Sequence, residues 1–358
     1  MPASTRIAVV DLFCGAGGLS LGLRNSGLSI AAGIDLDPRC RFPFEKNVKA
    51  RFVNQSVTEL TAAALAQLFG NAEIRVLAAC APCQPFSGYT SKRSEIDERW
   101  KLLLEVLRFA TAVGPEIITV ENVSRLAKRP LWANFVERLE GVGYHVKWDI
   151  LDASKFGVPQ TRKRLVLLGS RLGPIDLPRP AQSKKSMTVR TAIASLPKIS
   201  CGTSDSRDPL HCSRNLSEPN LKRMRASKPA GTWRQWPKSL VTECHKKKSG
   251  KTYPSVYGRM SWDKPAPTIT TQFYGFGNGR FGHPDQDRAL SLREGAILQS
   301  FPARFEFFPK SQRVNFNAIG RLIGNAVPPR LAQAIGRTIV NHAAAVAAGT
   351  SRNSSASK

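Results

Sequence analysis

The chain is poor in acid. Its 358 residues hold 26 Asp and Glu against 53 Lys and Arg, a formal net charge of +27 at pH 7. A protein this basic is expected to bind a polyanion, and nucleic acid is the first candidate. Long hydrophobic runs are missing as well. No apolar stretch approaches the roughly 20 residues of a membrane-spanning helix, and Met1-Pro2-Ala3-Ser4-Thr5-Arg6 runs straight into the strand-like Ile7-Ala8-Val9-Val10. No signal peptide is read there, so a soluble, intracellular protein is expected. Cysteine is sparse. Seven residues at irregular spacing fit free thiols in a reducing compartment better than a disulfide framework.

What is present starts with a core: 42% of the chain is hydrophobic, enough for one large domain or two unequal ones. Short apolar runs at 7–13, 29–34, 75–79, 116–120, 145–150 and 164–169 read as strands, with helical patterns between them at 99–113 and 132–139. This alternation predicts an α/β fold built on a doubly wound, mostly parallel sheet. After Arg171 the character changes. Residues 184–264 carry 18 Lys and Arg against 5 Asp and Glu, about half of the chain's whole excess. Trp233, Trp236, Tyr253, Tyr257 and Trp262 are interleaved with them, which predicts a smaller, loop-rich second domain with a partner surface. The apolar pattern of 322–347 suits the first domain. The expected division is therefore a first domain over 1–185 completed by 315–348, a second over 186–300, a hinge over 301–314 and a disordered tail over 349–358.

The chemistry gathers at strand ends, where open α/β sheets keep their ligands. The first strand ends in Cys14-Gly15-Ala16-Gly17-Gly18, and Asp35 closes the second about twenty residues later. Glycines permit the sharp turn and the close approach of a ligand, and the acid suits two ribose hydroxyls. The full G-x-G-x-x-G pattern is absent, which favours a single nucleoside over a dinucleotide. A third strand runs into Cys80-Ala81-Pro82-Cys83-Gln84-Pro85-Phe86-Ser87. Cys80-x-x-Cys83 is open to reading as a redox pair, as half of a zinc site, or as a rigid loop presenting Cys83 as a nucleophile. Glu121 follows another apolar strand. Arg162 and Arg164 lie two apart before the last one, a spacing that on extended backbone points both to the same side.

Taken in order, these blocks resemble the DNA cytosine-C5 methyltransferases over nearly the whole chain. The match rests on Asp11-Leu12-Phe13-Cys14-Gly15-Ala16-Gly17-Gly18, Pro82-Cys83-Gln84-Pro85-Phe86-Ser87, Glu121-Asn122-Val123 and Gln160-x-Arg162-x-Arg164. It continues with Arg293-Glu294, Leu298-Gln299-Ser300-Phe301-Pro302 and Gly324-Asn325-Ala326-Val327. The resemblance implies an S-adenosylmethionine-dependent, Rossmann-like catalytic domain and a target-recognition domain over the basic segment. Cys83 would be the nucleophile on C6 of a flipped-out cytosine, Glu121 the group on N3, and Arg164 the contact to O2, with Arg162 fixing the loop and backbone. The cofactor would be held by Phe13, Gly15, Gly17, Gly18, Leu19, Asp35, Leu36, Ser56, Val57, Pro82, Asn325 and Ala326. Duplex DNA would meet Gln84, Ser87 and the phosphate-binding Lys246, Lys247 and Lys248.

Two positions depart from the family. Ser56 stands where an acid often faces the adenine amino group, and Leu36 where an aromatic is often found, so weaker cofactor binding is expected. Cys201, His211, Cys212, Cys244 and His245 match no zinc-finger spacing, and no metal is expected. The expected protein is a monomer, with a cognate restriction endonuclease as a possible partner. A tRNA cytosine methyltransferase would share these motifs, and a catalytically silent DNA-binding regulator is the non-enzyme alternative.

Overall fold

Runs rich in Val, Ile, Leu and Ala become strands here because a sheet covered on both faces accepts apolar residues at consecutive positions. In the computed structural model, which describes residues 6–82, 94–180 and 186–355, seven strands form one sheet. They are β1 (Ile7–Leu12), β2 (Ser29–Asp35), β3 (Arg51–Asn54), β4 (Ile74–Ala79), β5 (Ile117–Val123), β6 (His145–Asp152) and β7 (Lys163–Ser170). Their order is β3-β2-β1-β4-β5-β7-β6. The first five pair in parallel, and β7 lies antiparallel between β5 and β6.

Alternate residues of the central strands feed both faces. Val10, Leu12, Leu77, Ile118 and Val120 join one buried cluster with Leu103, Phe109, Trp132 and Phe135, while Val9, Val76 and Ile117 are buried with opposite parity. The helices of this unit are α1 (Gly18–Arg24), α2 (Arg41–Val48), α3 (Ala62–Leu68), α4 (Ser94–Ala112) and α5 (Pro130–Gly141). Strand β3 was not expected. It has only Phe52 and Val53 as apolar residues, too few for a periodic signal, and it forms because the edge of β2 accepts it.

Contacts divide the chain into two units. The first holds Met1–Phe156, Lys163–Gln182 and Val327–Lys358, and the second holds Gly157–Arg162 and Ser183–Ala326. In the second unit α6 (Val189–Ile193), α7 (Glu218–Ala226), α8 (Glu243–Lys246), α9 (Leu292–Leu298) and α10 (Phe316–Asn325) are joined by long irregular segments and one small hairpin, β8 (Ser204–Asp205) with β9 (Asp208–Cys212). Its small core gathers Met224, Trp233, Trp236, Phe276 and Ala289. Buried arginines hold the irregular backbone. Arg259 donates to the carbonyls of Met224, Ser227, His283 and Gln286.

The boundaries differ from those expected. Gly157–Arg162 and α10 belong to the second unit, and the return to the first begins at Val327, where Pro328-Pro329 separates α10 from α11 (Pro329–Ser355). Residues 301–314 are not an open linker. Phe301, Phe305 and Phe307 are buried there, with ring centroids 4.5 to 5.1 Å apart. The tail expected from 349 instead continues α11 as far as Ser355. No helix among the described residues is long and apolar enough to cross a membrane.

Candidate active site

The turn after β1 is built by backbone that only certain residues tolerate. Gly15 and Gly17 have φ of +54° and +88°, in the left-handed region that a Cβ disfavours. At Gly17 a Cβ would also stand 2.6 Å from Val48, whereas at Gly15 nothing lies within 4 Å. The open side of the turn is therefore at Gly15. Its amide donates to Asp35 Oδ2 at 2.9 Å, and the Asp37 amide donates to Oδ1 at 2.9 Å. Each oxygen of Asp35 thus takes one amide and keeps acceptor capacity for a further donor. Burial pushes the Asp35 carboxyl up from its ordinary value, against the two amides that lower it.

Beside Asp35, the apolar side chain of Leu36 is 68% exposed. Asn54 at the end of β3 fixes this corner by donating to the carbonyls of Asp35 and Leu36. Open space at a glycine, an acceptor carboxylate and an uncovered apolar surface fit the adenosine half of a nucleoside cofactor. Other expected pocket residues have structural work. Leu19 and Val57 are buried in the core, and Gly18 is buried at the start of α1. Phe13 packs partly against the same core. The Ser56 hydroxyl lies 2.7 Å from that of Thr58 and accepts from the Thr58 amide. Pro82 is exposed, and Asn325 and Ala326 fall in the second unit.

Glu121 lies near the end of β5, only 2% exposed. Because β7 runs antiparallel, its first residues lie beside the end of β5: Val123 pairs with Arg164, and Glu121 with Val166. Glu121 and Arg164 are thereby diagonal neighbours on one face. Arg164 Nε stands 3.1 Å from Glu121 Oε1, yet among the described residues that oxygen accepts no hydrogen bond; the pair is electrostatic rather than directional. Oε2 accepts from the Cys80 thiol at 3.1 Å. Asn122 Nδ2 donates to the Ala81 carbonyl, tying the segment after β4 to the end of β5. The ends of β4, β5 and β7 thus share one buried, partly unsatisfied carboxylate flanked by a cation.

A model of the C-5 cytosine-specific DNA methylases matches residues 7–341. The chain belongs to this family. It is a DNA cytosine-C5 methyltransferase and transfers a methyl group to carbon 5 of cytosine. It is 45% identical over 336 residues to the Type II methylase M.HgiDII of Herpetosiphon aurantiacus, covering 93% of this chain and 94% of that protein. With the Type II methyltransferase M1.HphI of Haemophilus parahaemolyticus it shares 33% identity, over 93% and 87% of the two chains. Among solved structures, the Dnmt2 methyltransferase of S. pombe superposes with a TM-score of 0.58 at 19% identity, covering 93% of this chain and 97% of that one. At that identity the likeness concerns the fold.

Several family motifs turn out to be scaffold in this methyltransferase. Arg162 is 3% exposed and donates to the carbonyls of Ile269, Gly324 and Ala326. Arg162 binds these carbonyls whereas Arg164 stands beside Glu121, although the spacing of two on extended backbone was expected to point both to one side. Alternation operates within a strand, and β7 starts only at Lys163. Gln160 is fully buried, bridging Ile269, Leu298 and Gln299. Arg293 pairs with Asp208, and Glu294 with Arg288.

Cys83, Gln84 and Ser87 lie outside the described residues. Lys246 pairs with Glu243 at 2.5 Å, and Lys246, Lys247 and Lys248 are all exposed. The five residues considered for zinc have other partners or surroundings. His211 bonds Ser291 and the Pro197 carbonyl through its two ring nitrogens. His245 stacks on Trp233 at 4.3 Å. Cys201 donates to the Arg214 carbonyl, Cys212 is buried with its thiol pushed up to about 12 by burial, and Cys244 is exposed beside Thr242. No group of three or more such side chains among the described residues could hold a metal.

The sequence does not disclose the roles of two residues. Cys80 reads only as half of a redox or zinc pair with Cys83. Asp11, in the first motif, is fully buried, with Oδ2 accepting from Ser20 at 2.6 Å and Oδ1 unpaired among the described residues.

Proposed function

We propose that this methyltransferase acts on a flipped-out cytosine in one specific duplex DNA sequence, with Cys83 as nucleophile and Glu121 and Arg164 as its partners. The observation that carries the reading is the buried Glu121 carboxylate, held on one oxygen, open on the other and flanked by Arg164. Carbon 5 of cytosine is a poor nucleophile. A thiolate forming a bond to C6 drives the ring electrons onto C5, which then attacks the donor methyl group. Glu121 holds or gives a proton at N3, and so neutralises the negative charge that addition creates. Arg164 supplies positive charge for O2. Loss of the C5 proton restores the C5–C6 double bond and expels the thiolate. A base paired in a duplex cannot reach such a buried group, so it must leave the stack.

The family uses S-adenosylmethionine, which supplies an electrophilic methyl group on a sulfonium. In this chain Asp35 would accept from its ribose hydroxyls, Gly15 would leave room for it and Leu36 would cover its adenine. The basic second unit, including Lys247 and Lys248, would hold phosphates and the target sequence. The protein would act as a monomer in the bacterial cytoplasm, as the modification partner of a restriction endonuclease.

The test offers labelled methyl donor with unmethylated bacteriophage DNA and, in parallel, with unmodified tRNA. The expected result is label in DNA alone, in one recurring sequence by bisulfite reading. Label in tRNA alone, or specific DNA binding without transfer, would contradict it.

A further inference from the structure

The proposed mechanism gives Cys80 no part, yet the structure puts its thiol on the carboxylate that the mechanism needs. Cys80 directly follows β4, and its amide donates to the Leu12 carbonyl of β1, so its backbone is fixed by the sheet. From there the thiol donates to Glu121 Oε2 at 3.1 Å. A glutamate carboxyl is nearly two-fold symmetric about its terminal torsion, and nothing intrinsic decides which oxygen faces a substrate. Here the two oxygens differ: Oε2 is tied, and Oε1 is buried with no hydrogen bond from the described residues although Arg164 Nε is 3.1 Å away.

We propose that Cys80 is a positioning residue for methyl transfer: its thiol holds Oε2, so that Oε1 is the oxygen presented to N3 of the extruded cytosine. The inference rests on the reading of Glu121 given above. Among the described residues, the titratable groups facing Glu121 are Cys80 from the end of β4 and Arg164 from β7. The proton on Oε1 passes toward N3 as the nucleophile adds and returns as it leaves, while Cys80 keeps its own proton throughout. A thiol is a weak donor. Its influence therefore falls on the orientation of Glu121 more than on the stability of the fold.

The test measures kcat and KM for methyl transfer to unmethylated bacteriophage DNA, with the full chain and its Cys80→Ala, Cys80→Val, Cys80→Ser and Glu121→Gln variants. The two apolar variants should lose about three- to tenfold in kcat at unchanged KM for DNA. Cys80→Ser, which keeps a donor, should restore kcat within about twofold. Either apolar variant suffices if the other does not fold. A folded apolar variant with the parent's kcat would overturn the proposal. So would equal losses in the apolar and Ser variants, the signature of packing alone. An active Glu121→Gln enzyme would instead overturn the underlying assignment of Glu121, whatever the Cys80 variants do.

Discussion

Glu121 in the first unit and Glu294 in the second are both buried glutamates beside an arginine, and they are wired differently. Arg288 grips Glu294 with both terminal nitrogens at 2.7 Å, and the Ser291 amide adds a third bond at 2.7 Å. Burial alone would raise its pKa, but these bonds outweigh it and hold the carboxyl down at about 2. Among the described residues Glu121 has one thiol bond and an arginine that approaches without bonding. A saturated carboxylate has nothing left to offer a substrate and serves the fold. One left half-open in a buried site is available for chemistry, and its low-dielectric surroundings strengthen whatever it bonds. Asp11 belongs with Glu121 in this respect, since it too keeps one oxygen unpaired.

The comparison breaks if Glu294 proves dispensable. Glu294→Gln leaves Arg288 buried without its counter-charge and should cost about 3–5 kcal/mol in chemical denaturation. Because the folded pKa is depressed, this stabilisation is present above the ordinary glutamate value near 4.5 and is lost as pH falls toward about 2. The variant should lack that acid slope. A loss below about 1 kcal/mol would place Glu294 outside the scaffold.

A smaller effect of opposite sign sharpens the contrast. Burial pushes Asp11 up to about 7, with the Ser20 hydroxyl opposing the shift. The folded protein therefore holds this proton more tightly than the unfolded chain. Its contribution to stability is complete below the ordinary value of 3.8 and declines as pH rises through about 7. Asp11→Asn should stabilise the protein by about 1–3 kcal/mol at pH 8 and flatten its stability between those limits. A variant that is less stable at pH 8, with the slope intact, would show that the charge is needed.

Much of the first unit was legible because strand ends carry chemically distinctive residues: glycines at the turn after β1, Asp35 at the end of β2 and Glu121 near the end of β5. What distinguished Arg164 from Arg162 was not legible. Only the antiparallel insertion of β7 puts the former beside Glu121, and only the folded second unit supplies the three carbonyls around the latter. The bond from Cys80 to Glu121 joins residues 41 apart across two strands, and no local pattern announces it. Residues 301–314 looked like a linker because their Pro, Phe and Arg lack periodicity. Three phenylalanine rings packed on one another need none.

The most direct measurement traps the reaction on duplex DNA that carries 5-fluorocytosine, with the methyl donor present, and maps the adduct by peptide mass. Fluorine cannot leave as the C5 proton does, so the thiol bond to C6 persists. The account predicts an adduct on Cys83, absent in Cys83→Ser and formed at least about a hundredfold more slowly in Glu121→Gln. An adduct on another residue, or trapping by Glu121→Gln at the parent's rate, would contradict it.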